Sequence, residues 1–257
     1  MAKKFLLLAL SALLVGCDQK ALLQKFIPKE DDAFARRFIE VVRVGDYAAA
    51  QQMLDSTVRG EEAAKGLQAL HEVIAHGEPV AVETIGCNVQ SLQGTRKTNL
   101  SYQIHFLDAW AVGNVYLEQK GDTSFVFASR FQPTPDSLEV LNRFSIRGKP
   151  PMHYAVLAAC IAIPVFILYT LVVCIRSRVR RKWLWIIFIL FGVFQLRLDW
   201  ASGRFDLQPI SFLLFGASAF RASPYAAWVL GCAVPLGAII FLLRRRNLIL
   251  PDAKQVA

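Results

Sequence analysis

The sequence predicts two architectures in one chain: an α+β domain over residues 30–150 and an all-α membrane domain of three helices over 151–246. Three observations carry this reading. Apolar residues make up 54% of the 257 positions, and they are clustered rather than spread. Residues 17–150 hold 15 Lys+Arg against 17 Asp+Glu, whereas 151–257 hold 12 against 3, so most of the net +9 sits among apolar stretches. The apolar period then changes from about 3.6 to 2 within the polar half, the mark of helices followed by half-buried strands. This composition excludes a disordered chain, which needs low hydrophobicity. Five scattered cysteines exclude a disulfide-stapled scaffold. Charge gathered beside apolar runs reads as membrane topology and not as a nucleic-acid face.

At the N-terminus, Lys3 and Lys4 precede an apolar run from Phe5 to Val15. Such a run fits a secretory signal and is too short to span a bilayer. It ends in Leu14-Val15-Gly16-Cys17, followed by Asp18. These residues resemble the lipobox of bacterial lipoproteins. The resemblance implies a signal peptide over 1–16, cleavage after Gly16, and a covalent diacylglycerol and N-acyl lipid on Cys17. It also implies retention in the inner membrane through Asp18. No other cofactor is expected.

Residues 17–29 are expected to be a lipidated tether. A helix is predicted from Glu30 to Val44, with Phe34, Phe38, Val41 and Val42 on one stripe. Gly45 ends it, and Asp46 caps a second helix reaching about Leu54. A third runs from Glu61 to Ala75, with Leu67, Leu70 and Ile74 on one face. Thr98, Leu100, Tyr102, Ile104 and Phe106 then alternate with polar residues, which predicts an antiparallel strand. Further strands are expected near 79–92, 110–120 and 123–131, with Gly121-Asp122 turning between the last two. Pro133, Pro135, Gly148, Pro150 and Pro151 bracket the exit from this domain. Helices followed by a meander make an α+β domain. The element order resembles the cystatin-like or nuclear-transport-factor-like cone, and a generic α+β sandwich is the alternative.

Several stretches approach a chemical motif. His71-Glu72-Val73-Ile74-Ala75-His76 has the look of a zinc-protease helix, but its spacing is i, i+5. That separates the imidazoles by about 140° around a helix, so no metal is expected there. Glu83, His105, Asp108 and Glu118 are the groups available for acid–base chemistry, with polar strand positions as the competing explanation. No catalytic residue is assigned, and the reading leans away from an enzyme. Cys87 has no disulfide partner in the domain and is read as a small buried residue. Asn99-Leu100-Ser101 matches a glycosylation sequon inside a predicted strand.

Three spans are expected at about 154–175, 183–198 and 226–243, with Pro164 as a kink site in the first. The apolar segment 210–220 is too short for a span and is read as interfacial or re-entrant. Arg197, near the outer end of the second span, is expected to snorkel outward or to pair with Asp199. Pairs of small residues, Ala227 with Gly231 and Ala233 with Gly237, permit close helix packing in the third. Arg176, Arg178, Arg180, Arg181 and Lys182 follow the first span, and Arg244, Arg245 and Arg246 follow the third. The positive-inside rule places both clusters in the cytoplasm. Residues 17–150 then face the periplasm, and the tail 247–257 is cytoplasmic. The expected function is that of an inner-membrane lipoprotein, a non-catalytic scaffold, accessory or binding module of an envelope complex. The membrane and a protein partner are expected contacts; nucleic acid and metal are not. The alternatives are a pocket enzyme or small-ligand binder, and an accessory subunit of a transporter.

Overall fold

The computed structural model describes residues 19–92, 95–121 and 123–248. The lipobox, Cys17 and Asp18 lie outside the described residues, as do Asp122 and nearly all of the tail. Two compact units are present. One runs to Leu141 and takes in 223–225; the other holds 142–222 and the chain from 226 onward.

The first unit opens with α1 (Gln19–Phe26), within the stretch expected as a tether. Helix α2 (Lys29–Arg43) follows, with Glu30, Asp31 and Asp32 in its first turn and Arg43 in its last. That charge order complements the helix dipole. Val44 caps it and Gly45 turns left-handed at φ 80°. Helix α3 (Tyr47–Met53) starts at Asp46, whose carboxylate accepts the Ala49 amide. A short 3-10 turn (Ser56–Val58) and α4 (Glu61–Ile74) complete the helices.

The strands are β1 (Ala81–Leu92), β2 (Thr95–His105), β3 (Trp110–Lys120) and β4 (Thr123–Thr134). They form one antiparallel meander in the order β1-β2-β3-β4. Pro133 ends β4, an edge strand, where a missing amide costs no ladder bond on the open side. Leu100, Tyr102, Ile104 and Phe106 bury one face against Phe38, Ile39, Val42, Leu67, Leu70 and Ile74. Each such apolar side chain contributes roughly 1.5–3 kcal/mol on full burial. Register shifts at Thr84/Gly86 in β1 and at Tyr116/Leu117 in β3 bend the sheet.

The second unit corrects the three-span expectation. Helix α6 (Pro151–Arg176) is one long apolar helix over the residues of the first expected span, and Pro164 lies within it; the short α5 (Leu138–Leu141) precedes it in the first unit. The second expected span is instead α7 (Lys182–Leu190) running directly into β5 (Phe191–Asp199). Segment 210–220 lies in β6 (Phe205–Leu214) and β7 (Ala217–Phe220), two strands joined by a turn. The third expected span divides into β8 (Val229–Val234) and α8 (Leu236–Leu248). Nine and 13 helical residues reach only about 14 and 20 Å, short of a 30 Å hydrocarbon core.

These four strands form an antiparallel sheet in the order β6-β5-β8-β7. Pro209 is accommodated on edge strand β6, where the pairing with β5 shifts between Val193 and Gln195. Gly237, expected to line a helix seam within a span, instead lets α8 touch the backbone of α7. A Cβ there would overlap the Phe188 carbonyl. Trp200 is buried, donates its indole N–H to the Ser145 carbonyl at 2.8 Å, and stacks on Phe144. Arg197 does not pair with Asp199; its guanidinium meets Gln195 Oε1 at 3.5 Å.

Candidate functional site

Asp31 and Asp32 sit on consecutive positions of α2 and bond to two different sets of partners. Asp32 Oδ2 accepts the Arg36 Nε–H at 2.7 Å, one helical turn on. Its Oδ1 accepts the hydroxyls of Thr84 at 2.7 Å and Tyr102 at 2.9 Å. Arg36 closes the ring by donating to the Val82 carbonyl and to Thr84 Oγ1, both at 2.8 Å. Asp31 Oδ2 accepts from Thr98 Oγ1 at 2.6 Å and from Arg96 at 2.9 Å. The alternation of β1 and β2 aims Thr84, Thr98 and Tyr102 at the helix, so the network lies within the core side of the sheet.

Burial pushes the Tyr102 phenol well above its usual range, and the Asp32 charge adds to the shift. Tyr102 is therefore a fixed donor at neutral pH. Burial likewise raises the nearby Cys87 thiol, with the Asp31 charge second. Such a thiol is protonated and a poor nucleophile. Asp32 receives three donors and Asp31 two. Carboxylates occupied in this way pin α2 to β1 and β2.

A second pin stands on the β3–β4 side of the sheet. Asp55 accepts from Lys120 at 2.8 Å and from both the amide and hydroxyl of Thr57. Its own amide donates to the Val126 carbonyl. The Lys120 ammonium, then Thr57, hold the Asp55 carboxyl well below the usual carboxylate range.

The face of β1–β4 turned away from the helices is partly covered. Gln103 accepts the Leu138 amide at 2.7 Å and donates to Glu139 at 3.1 Å, and Lys20 of α1 reaches Glu139 at 2.8 Å. His105 stacks on Trp110 with centroids 3.9 Å apart. Beyond that covered end a groove of about 320 Å³ opens along β1–β4. Asn88, Gln90 and Asn99 supply amides; Tyr116 and Phe127 supply aromatic rings. Lys97 stands 5.8 Å over the Phe127 ring and 4.0 Å from Glu118. Tyr116 is 39% exposed and Phe127 48%, a large exposure for rings on a sheet face.

The four acid–base candidates do not converge. Glu83 pairs in register with Gln103, whereas Glu118 pairs with Lys97, six residues along β2. At about 3.4 Å per residue, that is roughly 20 Å. Asp108 is exposed in the β2–β3 turn. Glu118 is instead the neighbour of Lys97 and Lys120. His71 Nδ1 meets the Val42 carbonyl at 2.9 Å, and His76 lies beyond the end of α4. Cys87 is half-buried and unpaired by any disulfide, and Asn99 lies on β2.

The topology residues gather around α6 and α7. Arg176 ends α6, and Lys182 Nζ donates to the Ile175 carbonyl at 2.8 Å. Arg178, Arg180 and Arg181 are exposed on the connection, and Arg244 and Arg245 are exposed on α8. Arg246 belongs to the same helix. Asp31, Asp32, Thr84, Tyr102 and Asp55 carried no sequence signal strong enough to select them. Asp31 does share the face of Ala35, Phe38 and Val42, and an acid on a buried stripe is the sign that marks it. No protein-family model matches the chain, and no curated protein matches it in sequence.

Proposed function

We propose that this chain is an envelope lipoprotein of the bacterial inner membrane, acting as a non-catalytic scaffold, accessory or binding module. The observation that carries the binding role is the open groove on the outer face of β1–β4. Exposed Tyr116 and Phe127 beside amides and a Lys–Glu pair make a surface suited to a protein partner, where aromatic anchors supply most of the binding energy. The Asp31/Asp32 and Asp55 pins hold that sheet rigidly, so the surface is preorganised. Curvature at the two bulges supports a cone of the cystatin or nuclear-transport-factor kind around α2.

The membrane reading rests on α6. Its 26 residues span about 39 Å, and only 17% of its most apolar window is buried. A core helix of a soluble protein would bury most of that window. Five basic residues follow within 176–182, which favours the cytoplasm for that end. With that end inside, residues 17–150 lie outside, and Trp200, bonded to the Ser145 carbonyl, lies at the same end of α6 as they do. Photo-crosslinking from the groove tests the binding role: adducts must form from position 116 and not from Glu72 on the exposed surface of α4.

A further inference from the structure

The basic stretch after α6 does more than mark a side of the membrane. A groove of about 610 Å³ is lined by Arg180, Arg181, Leu184, Trp185 and Phe188. The two guanidinium groups stand at one end. Residues 181, 184, 185 and 188 follow at helical spacing, so the apolar side chains continue along one face of α7 from Leu184 to Phe188, about 6 Å. Leu184 and Phe188 are each 42% exposed.

Among the described residues the two arginines have no ion-pair partner. Lys182 is engaged by the Ile175 carbonyl. The sequence contains no Asp or Glu between Glu139 and Asp199. Positive charge at one end and an uncharged apolar track at the other match an amphiphile with an anionic head. A guanidinium forks onto phosphate oxygens with two parallel hydrogen bonds, which an isolated ammonium cannot do.

Resting on the membrane reading of α6, the geometry points to a binding site for an anionic phospholipid. Arg180 and Arg181 hold the headgroup phosphate, and an acyl chain lies along Leu184, Trp185 and Phe188. The site takes one lipid out of the bulk leaflet and is distinct from diffuse attraction of a polybasic segment to the surface.

The test uses the full chain reconstituted in vesicles, with bromine-labelled acyl chains as quenchers of tryptophan fluorescence. Vesicles of neutral phosphatidylcholine are compared with vesicles carrying a minor fraction of brominated phosphatidylglycerol. The anionic lipid is expected to quench at much lower mole fraction than brominated phosphatidylcholine. Arg180→Gln/Arg181→Gln is expected to lower the apparent affinity for it about 25-fold, at roughly fivefold per charge. Arg176, Arg178 and Lys182 keep the topology signal in that variant. Arg180→Lys/Arg181→Lys keeps the charge and is expected to recover part of the loss.

Equal quenching by neutral and anionic lipid, or an unchanged preference in the glutamine variant, overturns the site while leaving the anchor standing. Millimolar inorganic phosphate that abolishes the preference assigns a free-phosphate pocket and also overturns it. Failure of the chain to float with neutral vesicles after alkaline washing overturns the membrane reading itself, and the lipid site with it.

Discussion

The Tyr102 hydroxyl donates to Asp32 Oδ1 at 2.9 Å, joining the middle of β2 to the first turn of α2 across 70 positions of sequence. Tyr102 is fully buried, and the acceptor also serves Thr84. Tyr102→Phe removes one donor and leaves Asp32 with two. A hydrogen bond to a charged group is worth about 1.5–3 kcal/mol, so a loss near 2 kcal/mol is expected. Asp32→Ala strands Tyr102, Thr84 and Arg36 together and is expected to cost more than Tyr102→Phe. Denaturant titration of the solubilised chain measures both. Equal costs would mean that the network is not shared.

The Asp55–Lys120 pair sets a pH dependence. The folded state holds the Asp55 carboxyl below its ordinary value, so its stabilisation is full above about pH 4 and is lost as pH falls through the lowered folded value. Lys120 is raised, chiefly by its hydrogen bond to Asp55. Its contribution is full below its ordinary value and is lost as pH rises through the raised one. Lys120→Met should therefore flatten the acid limb of a stability profile between about pH 4 and pH 2. An acid limb identical to that of the parent chain rules the pair out as its source.

Gly237 marks the point where α8 meets the backbone of α7. In a free-standing span, Gly237→Ala would be tolerated or slightly favourable. Here the new methyl meets the Phe188 carbonyl, a backbone atom that cannot swing aside. Overpacking of this kind costs typically 1–3 kcal/mol. A melting temperature that falls for Gly237→Ala supports the α7–α8 contact, and one that holds or rises contradicts it.

Lipidation at Cys17 is tested by labelling with a fatty-acid analogue. Cys17→Ser is expected to abolish the label and leave an uncleaved precursor of slower mobility. Persistent labelling in that variant would place the lipid on another residue.

The first unit was legible because its residues repeat at distinct periods. Leu67, Leu70 and Ile74 fall on one helix face, and Leu100 to Phe106 alternate along one strand, so type and limits both follow. Residues 183–243 were not legible in the same way. Lys182–Leu190 is apolar all round and runs without a turn signal into Phe191–Asp199. A short apolar helix joined to a short apolar strand has the length and hydropathy of one span. Hydropathy alone carries no mark of where the backbone changes from one to the other. The polar pins were hidden for a different reason. Asp31 and Thr98 are 67 positions apart, and nothing local distinguishes Asp32 from an acid placed to complement the helix dipole. His105 lies on the polar face of β2, as the alternation along that strand predicts. Its ring partner Trp110 comes from the adjacent strand, a pairing that only the register reveals.

Site-directed photo-crosslinking in intact cells tests the central claim most directly. A photoreactive phenylalanine analogue is placed at Tyr116 and Asn88 in the groove, and at Glu72 on the opposite surface as the control. The account predicts a discrete protein adduct of one size from positions 116 and 88 and none from position 72. Adducts of equal yield from all three positions, or from position 72 alone, would contradict a binding surface on the outer face of β1–β4.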